Sequence, residues 1–432
     1  MGISNILKEE VERIKLSDEE LSNLSEITKE VVSSLDKKIK RLGIKASVFV
    51  GGSLAKNTII RKKKYDIDLF IRFDSKYTEE DIKKQMKRIF FWFRIPKHKF
   101  KLKRIHGSRD YYQLIPRFNK NLSFEIIPNL KINKPSEARN ITDLSYFHVN
   151  YIKKKVQKNK KLLEEIMLAK SFCHGQKCYG AESYIKGFSG YALELLIVYF
   201  KNFENFIETI SKTEGKIIID AEKLYKSNEE IIKELNPSKK ESPIILIDPT
   251  FKERNAAGAL SVETYNKFKD SCKKFLKSPS LEFFENKGVN IAHFDNTAKE
   301  LNGIFAVFEV KTKKQEGDIA GSKMLKFSKV FSNELKNYFD ILEEEFDYWG
   351  EKKANIYYVL KRKSEIVFEG PSIHYHEAAE KFKKAHPIWY IQNGKIKAAK
   401  PVDLSVNEFL KYFNKKFRKT MREMSIKKVK LI

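Results

Sequence analysis

Cysteine is scarce in this sequence, and its scarcity excludes two kinds of protein. The 432-residue chain has 3 cysteines, Cys173, Cys178 and Cys272. They are too few and too irregularly spaced for the disulfide framework of a small secreted domain or for a zinc ribbon. We therefore predict reduced cysteines, most of them packed in a core.

Long apolar runs are also missing. The longest covers residues 191–200 and is interrupted by Glu194, whereas a membrane-spanning helix needs about 18 apolar residues. The first twenty residues are charged and amphipathic, without the apolar core of a signal peptide or a myristoylation signal. We expect no membrane span and a cytoplasmic protein.

Proline is infrequent as well, with 11 residues in the chain, while 41% of the residues are hydrophobic and 12% are aromatic. This composition argues against disorder. A chain of this length exceeds what one hydrophobic core usually supports, so it predicts a folded protein of about two to four domains.

Acidic residues are outnumbered: 85 Lys and Arg stand against 57 Asp and Glu, a formal charge of +28. Such an excess favours a polyanionic partner, nucleic acid first, because each phosphate neutralised releases counterions. The alternative is a lysine-rich, solvated surface. The segment Lys411–Ile432, with nine basic residues and one acid around Tyr412, Phe413 and Phe417, is either such a solvated helical face or an RNA contact.

Hydrophobic periodicity predicts an α+β, multidomain chain. Residues 4–42 have a helical period, and strands and helices mix up to about residue 130. One of those helices is predicted over residues 80–93. Helices then dominate to about residue 275, with Ser189 and Ser261 as N-caps. Beyond it strands return around a long helix near residues 322–346.

The stretch GGSLAKNTIIRKKKYDIDLFIRF, residues 51–73, contains two aspartates within an apolar strand pattern. Alternation puts Asp66 and Asp68 on one face, about 6 to 7 Å apart, and Ile67 and Leu69 in the core. Carboxylates so close repel each other unless a cation lies between them, and Mg²⁺ prefers oxygen ligands. An exposed edge strand with two solvated aspartates is the alternative.

The glycine turn before this strand favours the metal interpretation. Gly51 and Gly52 would let the backbone approach a phosphate, Ser53 adds a hydroxyl donor, and the free N–H groups of a following helix attract anions. Glu125 is a lone acid in another apolar strand and could supply a third carboxylate. An anion cradle beside a metal pair indicates phosphoryl chemistry.

These motifs carry a resemblance to a known superfamily. GGS, DID twelve residues later and then FEIIP look like the nucleotidyltransferases related to DNA polymerase beta and the poly(A) polymerases. Further segments, above all the one from CYGAE to GFSGYALELLIVYF and the one containing IDPTFKERNAAGALS, resemble the archaeal, class I CCA-adding enzymes in order along nearly the whole chain.

The resemblance implies four domains, of which the first is a polymerase beta-like nucleotidyltransferase head. They are a catalytic head at residues 1–136, a helical neck at 137–275, an α+β body that binds tRNA at 276–370 and a basic tail at 371–432. The implied activity is addition of C, C and A to the tRNA 3′ end, without a nucleic-acid template, from CTP and ATP. Pyrophosphate would leave after in-line attack by the terminal hydroxyl, with two Mg²⁺ ions.

The implied partners are the acceptor stem and T arm of tRNA, and the resemblance leaves a homodimer open. Two other functions also remain open. One is a poly(A) or oligoadenylate synthetase that uses ATP only. The other is an inactive relative that binds RNA.

The resemblance also implies roles for individual residues. It assigns the magnesium ions to Asp66, Asp68 and Glu125, and nucleotide contacts to Gly52, Ser53, Lys56, His148, Lys170, Tyr179 and Arg254. Ser53 and Lys56 would hold the triphosphate, and Arg254 would read the base. The family usually has Arg where this chain has Lys56 and Asp where it has Glu125, and both departures keep the charge.

Several of these residues have structural alternatives. Lys170 shares a helical stripe with Leu163, Ile166 and Met167, so its ammonium needs a buried anion or must extend to solvent. His148 and Tyr179 could equally be core side chains. Glu194 we interpret as structural and hydrogen-bonded. The role of residues 106–114 stays open.

Overall fold

The computed structural model describes residues 2–96, 98–107, 109–313 and 316–432. The chain forms two compact units, Met1–Asn286 and Lys287–Ile432. None of the helices in the described ranges combines the length and apolarity needed to cross a membrane.

The first unit alternates helices and strands over its first half and is mainly helical afterwards. Its helices are α1 (Ile3–Ile14), α2 (Asp18–Arg41), α3 (Gly52–Ala55), α4 (Glu79–Phe90), α5 (Ser145–Lys158), α6 (Leu162–Gly175), α7 (Gly190–Phe200), α8 (Phe203–Lys212), α9 (Asn228–Glu234) and α10 (Val262–Lys277). Its strands are β1 (Ala46–Val50), β2 (Tyr65–Asp74), β3 (Phe100–Ile105), β4 (Tyr111–Pro116), β5 (Leu122–Lys131), β6 (Ile217–Ile219), β7 (Ile244–Asp248) and β8 (Phe251–Asn255).

The main sheet of this unit has the order β1-β2-β5-β4-β3, with β2 and β5 parallel and the other pairs antiparallel. Ile67 and Leu69 are buried in a core that α2 and α4 cover, as the alternation in β2 predicts. Asp66 and Asp68 consequently lie on the opposite face of the sheet.

The helix predicted over residues 80–93 ends earlier, at Phe90. Phe91 is extended, and Trp92 has a left-handed φ of 52°. The chain turns there because Phe90 stacks on Tyr112 at 4.1 Å and Phe93 packs edge-on against Phe90 at 5.6 Å. Aromatic residues also have modest helix propensity, so packing decides the end of α4.

The second half of the first unit packs α5 to α8 and α10 around buried phenylalanines such as Phe172 and Phe268. Ser189 and Ser261 accept hydrogen bonds from Ala192 N and Thr264 N, so both predicted N-caps are confirmed. A small sheet, β6-β7-β8, also lies in this helical region and was not predicted.

The three cysteines are buried and free in this helical region, as predicted. Cys173 and Cys272 are 0% exposed, and burial raises the pKa of both thiols well above the usual value. Buried neutral thiols behave as small apolar side chains.

The second unit contains two further sheets, one of four strands and one of three. Its helices are α11 (Ile291–Glu300), α12 (Gly317–Leu335), α13 (His376–Ala385), α14 (Val406–Lys416) and α15 (Arg418–Glu423). Its strands are β9 (Ile304–Thr312), β10 (Phe339–Tyr348), β11 (Lys353–Arg362), β12 (Glu365–Ser372), β13 (Trp389–Gln392), β14 (Lys395–Pro401) and β15 (Ile426–Leu431).

The long helix predicted near residues 322–346 is wrong at its C-terminal end. Helix α12 stops at Leu335, and β10 begins at Phe339 and pairs with β11. Burial alternates at the start of β10, with Phe339 buried and Asp340 exposed, which is the period of a strand.

The basic segment from Lys411 onward is folded into the second unit. Phe413 is fully buried against Phe331 at 4.7 Å, so its ring packs in the core. Strand β15 pairs with β9, so the sheet of the expected body takes a strand from the expected tail. The four-domain division itself stays a prediction.

Candidate active site

The three predicted acidic residues lie on two neighbouring strands. In the parallel pairing of β2 with β5, Asp68 is opposite Glu125 and Asp66 is opposite Ser123. Residues directly opposite in such a pair project from the same face. Ser123 Oγ donates a hydrogen bond to Asp66 Oδ1 at 2.5 Å, which holds that carboxylate in place.

Asp68 and Glu125 are partly buried, Asp66 is exposed, and the three carboxylates repel one another. Burial raises the pKa of Asp68 to about 6, with Asp66 adding to the shift and Lys56 opposing it. Burial also raises the pKa of Glu125 to about 8, and Asp68 and Asp66 contribute to it. The raised pKa values mean that the nearby described cations do not offset burial and mutual repulsion, so ionisation of Asp68 and Glu125 is disfavoured until a further cation binds.

A cation with hard oxygen ligands would relieve this repulsion, so the donor set fits Mg²⁺ chemically. The three side chains do not converge on one point as the ligands of a bound metal ion would. Among the described residues, no three His, Cys, Asp or Glu side chains are gathered closely enough to hold a metal ion. The assignment of Asp66, Asp68 and Glu125 to a metal therefore stays a prediction.

The glycine turn is built around Asp68. Gly52 has a φ of 60°, and a Cβ added there would lie 1.9 Å from Asp68 Oδ2. The N–H of Gly51 donates to the carbonyl oxygen of Asp68 at 2.8 Å. The backbone at these positions is therefore in direct contact with the acidic strand, and only glycine fits at position 52. The predicted helix after the turn is α3, with Ser53 and a single turn of four residues.

Lys56 and Lys170, both predicted to contact the nucleotide, meet at a buried carboxylate. Glu194 accepts hydrogen bonds from Lys56 Nζ at 2.6 Å, Lys170 Nζ at 2.8 Å and Thr58 Oγ1 at 2.8 Å. Glu194 is 0% exposed and the two lysines are 8% and 3% exposed. The prediction that Glu194 is structural and hydrogen-bonded is confirmed, and it is also the buried anion that Lys170 requires.

The charges in this cluster stabilise one another. Burial alone would raise the pKa of Glu194, but Lys170 and Lys56 outweigh it and lower the value to about 2. Burial lowers the pKa of Lys170 to about 8, and the charge of Lys56 adds to this. Lys170 also donates to Thr58 O at 3.1 Å and Thr58 Oγ1 at 2.8 Å. Its three N–H groups therefore all have protein acceptors.

His148 and Arg254 meet at a second buried carboxylate, Asp248. Arg254 NH1 donates to Asp248 Oδ2 at 2.7 Å, and His148 Nε2 lies 3.0 Å from the same oxygen. Tyr191 donates to Asp248 Oδ1 at 3.0 Å and stacks on His148 at 4.1 Å. Burial lowers the pKa of His148. Burial acts to raise the pKa of Asp248, but His148 and Arg254 hold it far below its usual value.

Tyr179 stands apart from both clusters. Its ring stacks on His174 at 3.9 Å, and its hydroxyl would lie 2.7 Å from a Cβ at Gly190. Burial raises the pKa of Tyr179, and the negative charges of Glu194 and Asp68 raise it further.

Sequence reasoning missed three charged residues of this region. Asp248 joins His148 to Arg254, Glu182 raises the pKa of Glu125, and Lys62 lowers it. A signal existed for Lys62, because it belongs to the basic run RKKK just before Asp66. Nothing local distinguishes Asp248 from other acids at a strand end.

The segment at residues 106–114, whose role was open, contains a buried arginine. Arg109 Nε donates to Glu79 Oε2 at 2.8 Å and its NH2 donates to Asp143 Oδ2 at 3.2 Å. Asp143 is fully buried and also accepts from the N–H of Leu130 at 2.8 Å. Arg109 therefore ties α4 to the chain that follows β5, which is a structural role.

Comparison with family models agrees with this geometry. A nucleotidyltransferase domain matches residues 28–143, and the second domain of tRNA nucleotidyltransferase matches residues 164–285. Two separate regions of the chain are therefore similar to nucleotidyltransferase domains. The first match contains all three predicted acidic residues, and the second contains Lys170, Tyr179 and Arg254.

Archaeal CCA-adding enzymes are similar to this chain. That of Nanoarchaeum equitans is 41% identical over 218 residues, which cover 50% of this chain and 52% of the relative. That of Thermoplasma acidophilum is 28% identical over 67% of this chain and 61% of the relative. That of Methanocaldococcus jannaschii is 27% identical over 92% of this chain and 87% of the relative. The chain thus spans about half the length of the relative with the highest identity of the three.

Among solved structures, the poly(U) polymerase Cid1 superposes with a TM-score of 0.51 at 14% identity, over 66% of this chain and 98% of that one. At this identity the likeness concerns the fold alone. It supports the predicted polymerase beta-like architecture, and the mixed helices and sheets of both units agree with the predicted α+β class.

Proposed function

We propose that this protein is a template-independent tRNA nucleotidyltransferase that adds C, C and A to the tRNA 3′ end from CTP and ATP. One observation carries the proposal. Asp68 and Glu125 face each other across parallel strands, with Asp66 on the same face and the Gly52 backbone closed against Asp68. The similarity to archaeal CCA-adding enzymes supports the substrates.

The acidic residues would hold magnesium. When bound, Mg²⁺ ions would lower the pKa of the attacking 3′ hydroxyl and neutralise charge on the triphosphate. The chain's own contribution is to fix the carboxylates, through the Ser123 hydrogen bond to Asp66 and the packing of Gly52 on Asp68. Glu125 lies beside Asp68 and, by the resemblance, is nearest the hydroxyl.

The triphosphate would bind beside these carboxylates, at the glycine turn. Lys56 is the better placed of the two lysines, because Glu194 is its one hydrogen-bond acceptor among the described residues and an ammonium has three donors. Lys170 would have to exchange a protein acceptor for a phosphate. We assign Ser53 and Lys56 to the phosphates, and Lys170 to holding Glu194 and Thr58 in place.

The base would be read from the cluster around Asp248. Arg254 is 18% exposed and fixed by Asp248, with its guanidinium 5.6 Å from the centre of the Tyr191 ring. A pre-oriented guanidinium can donate to acceptors on both cytosine and adenine without a nucleic-acid template. His148 and Tyr179 would line the nucleotide between this cluster and the carboxylates.

Incubation with a tRNA transcript that ends before CCA tests the proposal. We expect incorporation of CTP alone to add two residues, and ATP to be added only after them. Asp68→Asn should abolish both additions while tRNA binding is retained. Incorporation of ATP without CTP would instead indicate an ATP-only synthetase, and absence of any incorporation would indicate an RNA-binding relative.

Substitutions of Lys56 provide a second test, through the affinity for the nucleotide. Because Lys56 replaces the usual arginine, Lys56→Arg should preserve the charge and restore a planar fork for the phosphates. We expect the KM for CTP to fall or stay equal in this variant and to rise in Lys56→Ala. Equal KM values in all three proteins would contradict the assignment of Lys56 to the triphosphate.

A further inference from the structure

The first unit has a surface of exposed aromatic and basic side chains that the proposed reaction does not use. Phe91 and Trp92, just after α4, are 69% and 70% exposed. Large aromatic side chains exposed side by side are uncommon on soluble proteins unless they contact something. The two rings lie edge to face with centroids 6.0 Å apart. We call them, with Arg94, the aromatic turn.

Packing of the neighbouring rings and one hydrogen bond fix the position of the aromatic turn. Phe90 and Phe93 point inward and pack against each other, and Phe90 also stacks on Tyr112. On the outside, Lys38 Nζ donates to the carbonyl oxygen of Phe91 at 3.2 Å. The first ring of this run is buried and the last is partly buried, so the two rings between them, Phe91 and Trp92, are exposed beside packed neighbours. The left-handed backbone of Trp92, unusual for a bulky residue, turns its side chain outward.

The sequence around this turn carries charge of one sign. Residues 82–107 include ten Lys and Arg and no Asp or Glu. Lys87 and Arg88 lie exposed in the last turn of α4, and the Arg94 guanidinium lies 5.7 Å from the centre of the Trp92 ring. Lys101 is exposed on β3, an edge strand of the sheet. The surface therefore suits a partner that is both anionic and able to stack on aromatic rings.

We propose that the aromatic turn binds unpaired nucleotides of an RNA, at a contact separate from the reacting 3′ end. Bases stack on exposed aromatic rings while basic side chains neutralise the phosphates, a combination typical of single-stranded nucleic-acid binding. In an A-form duplex the base faces are covered, so the partner is an unpaired segment. The choice of RNA over other polyanions rests on the proposed function.

The position of the turn keeps this contact apart from the reaction centre. Helix α4 packs on the face of the sheet that buries Ile67 and Leu69, whereas Asp66 and Asp68 project from the other face. Nucleotides on Trp92 would thus hold the RNA without touching the acidic residues. Changes at Trp92 should affect RNA affinity and leave the chemical step intact.

Tryptophan fluorescence tests the proposal directly on the full chain. A Trp349→Phe, Trp389→Phe variant retains Trp92 as its single tryptophan. We expect its emission to be quenched by a 12-nucleotide single-stranded RNA and unchanged by a duplex of the same length. Quenching by phosphatidylserine vesicles but not by RNA would overturn the proposal in favour of a membrane contact, and no response to any of the three would overturn it as well.

Affinity measurements separate stacking from charge. Trp92→Ala should weaken binding of the single-stranded RNA about tenfold without changing the slope of log K against log salt, and Trp92→Phe should restore most of the loss. Lys87→Ala with Arg88→Ala should lower the slope by up to about 2. Trp349→Ala is the matched control, since Trp349 is 54% exposed but donates to the acidic Asp347. Equal affinities for the Trp92→Ala and Trp349→Ala proteins would contradict the proposal.

Measurements on the same proteins distinguish failure of the RNA contact from failure of the proposed function. Circular dichroism and thermal unfolding should be equal in Trp92→Ala and Trp349→Ala, which checks folding. If the wild-type chain adds no CTP to tRNA but Trp92 is still quenched by RNA, the proposed function fails and the RNA contact stands. If CTP is added while Trp92 responds to no RNA, the contact fails alone.

Discussion

Two charge clusters of the first unit, one buried around Glu194 and one partly buried around Asp68, differ in how their charges are balanced. Around Glu194, one carboxylate is matched by Lys56 and Lys170 and every oxygen has a donor. Around Asp68, carboxylates face carboxylates and the pKa values of Asp68 and Glu125 rise. Glu194 has its counter-charges in the folded protein, whereas the acidic cluster needs a positive ligand. Buried charge alone therefore does not identify a reaction site; the missing counter-charge does.

The largest effect should follow from Asp68→Asn. We expect nucleotide addition to fall about a thousandfold, because a group that stabilises charge in the transition state is lost. The free energy of unfolding should stay equal or rise, since the change removes one of the like charges beside Glu125. Single-turnover incorporation and urea unfolding measure the two quantities. A protein that loses stability together with activity would contradict the contrast between the clusters.

Glu194→Gln, unlike Asp68→Asn, should lower the free energy of unfolding. Replacing the shared carboxylate leaves Lys56 and Lys170 buried without a counter-charge, so we expect a loss of about 3 kcal/mol in the free energy of unfolding. Urea unfolding at pH 7 provides the measurement. Glu20→Gln is a matched control, because Glu20 pairs with Arg61 at an exposed position and the substitution should cost far less stability. Equal losses in the two variants would show that burial does not matter here.

Lowering the pH should destabilise the wild-type chain more than the Glu194→Gln variant. The pKa of Glu194 is lowered from 4.5 to about 2, so its stabilisation is present above pH 4.5 and is lost as the pH falls toward 2. Between pH 5 and pH 3 the wild-type chain should lose about 2 kcal/mol more than Glu194→Gln. Unfolding of both proteins at several pH values tests this, and parallel curves would refute it.

The smallest effect should come from Asp248→Asn. Without the anion, Arg254 and His148 lose a shared partner, so the guanidinium is less well oriented. We expect the KM for CTP and ATP to rise about tenfold, in the range typical of groups that orient a binding residue, with little change in kcat. Steady-state kinetics with each nucleotide measures the split. An unchanged KM with a reduced kcat would place Asp248 in the chemical step.

Local sequence patterns predicted the strand that carries Asp66 and Asp68 because alternation is a property of neighbouring residues. They could not predict that Lys56 would reach Glu194, since 138 positions separate the two and only the tertiary fold brings them together. The same limit applies to β15, whose partner β9 lies more than a hundred residues earlier.

The ends of helices were harder to predict than their existence. At Phe90 and Leu335 the apolar period continues into the next residues, but packing of Phe93 and the strand pairing of β10 decide the end. For the site, the acidic residues were predicted from pattern and resemblance together. Asp248 was missed because its significance lies in what it contacts.

The parallel pairing of β2 with β5 has a consequence for how the protein acquires its activity. Asp66 and Ser123 are 57 residues apart in the chain, so the acidic residues come together only after a long loop has closed. Local helices form far sooner than such distant pairings. During refolding, catalytic activity should therefore return later than helical circular dichroism, and it would report the arrival of the native topology.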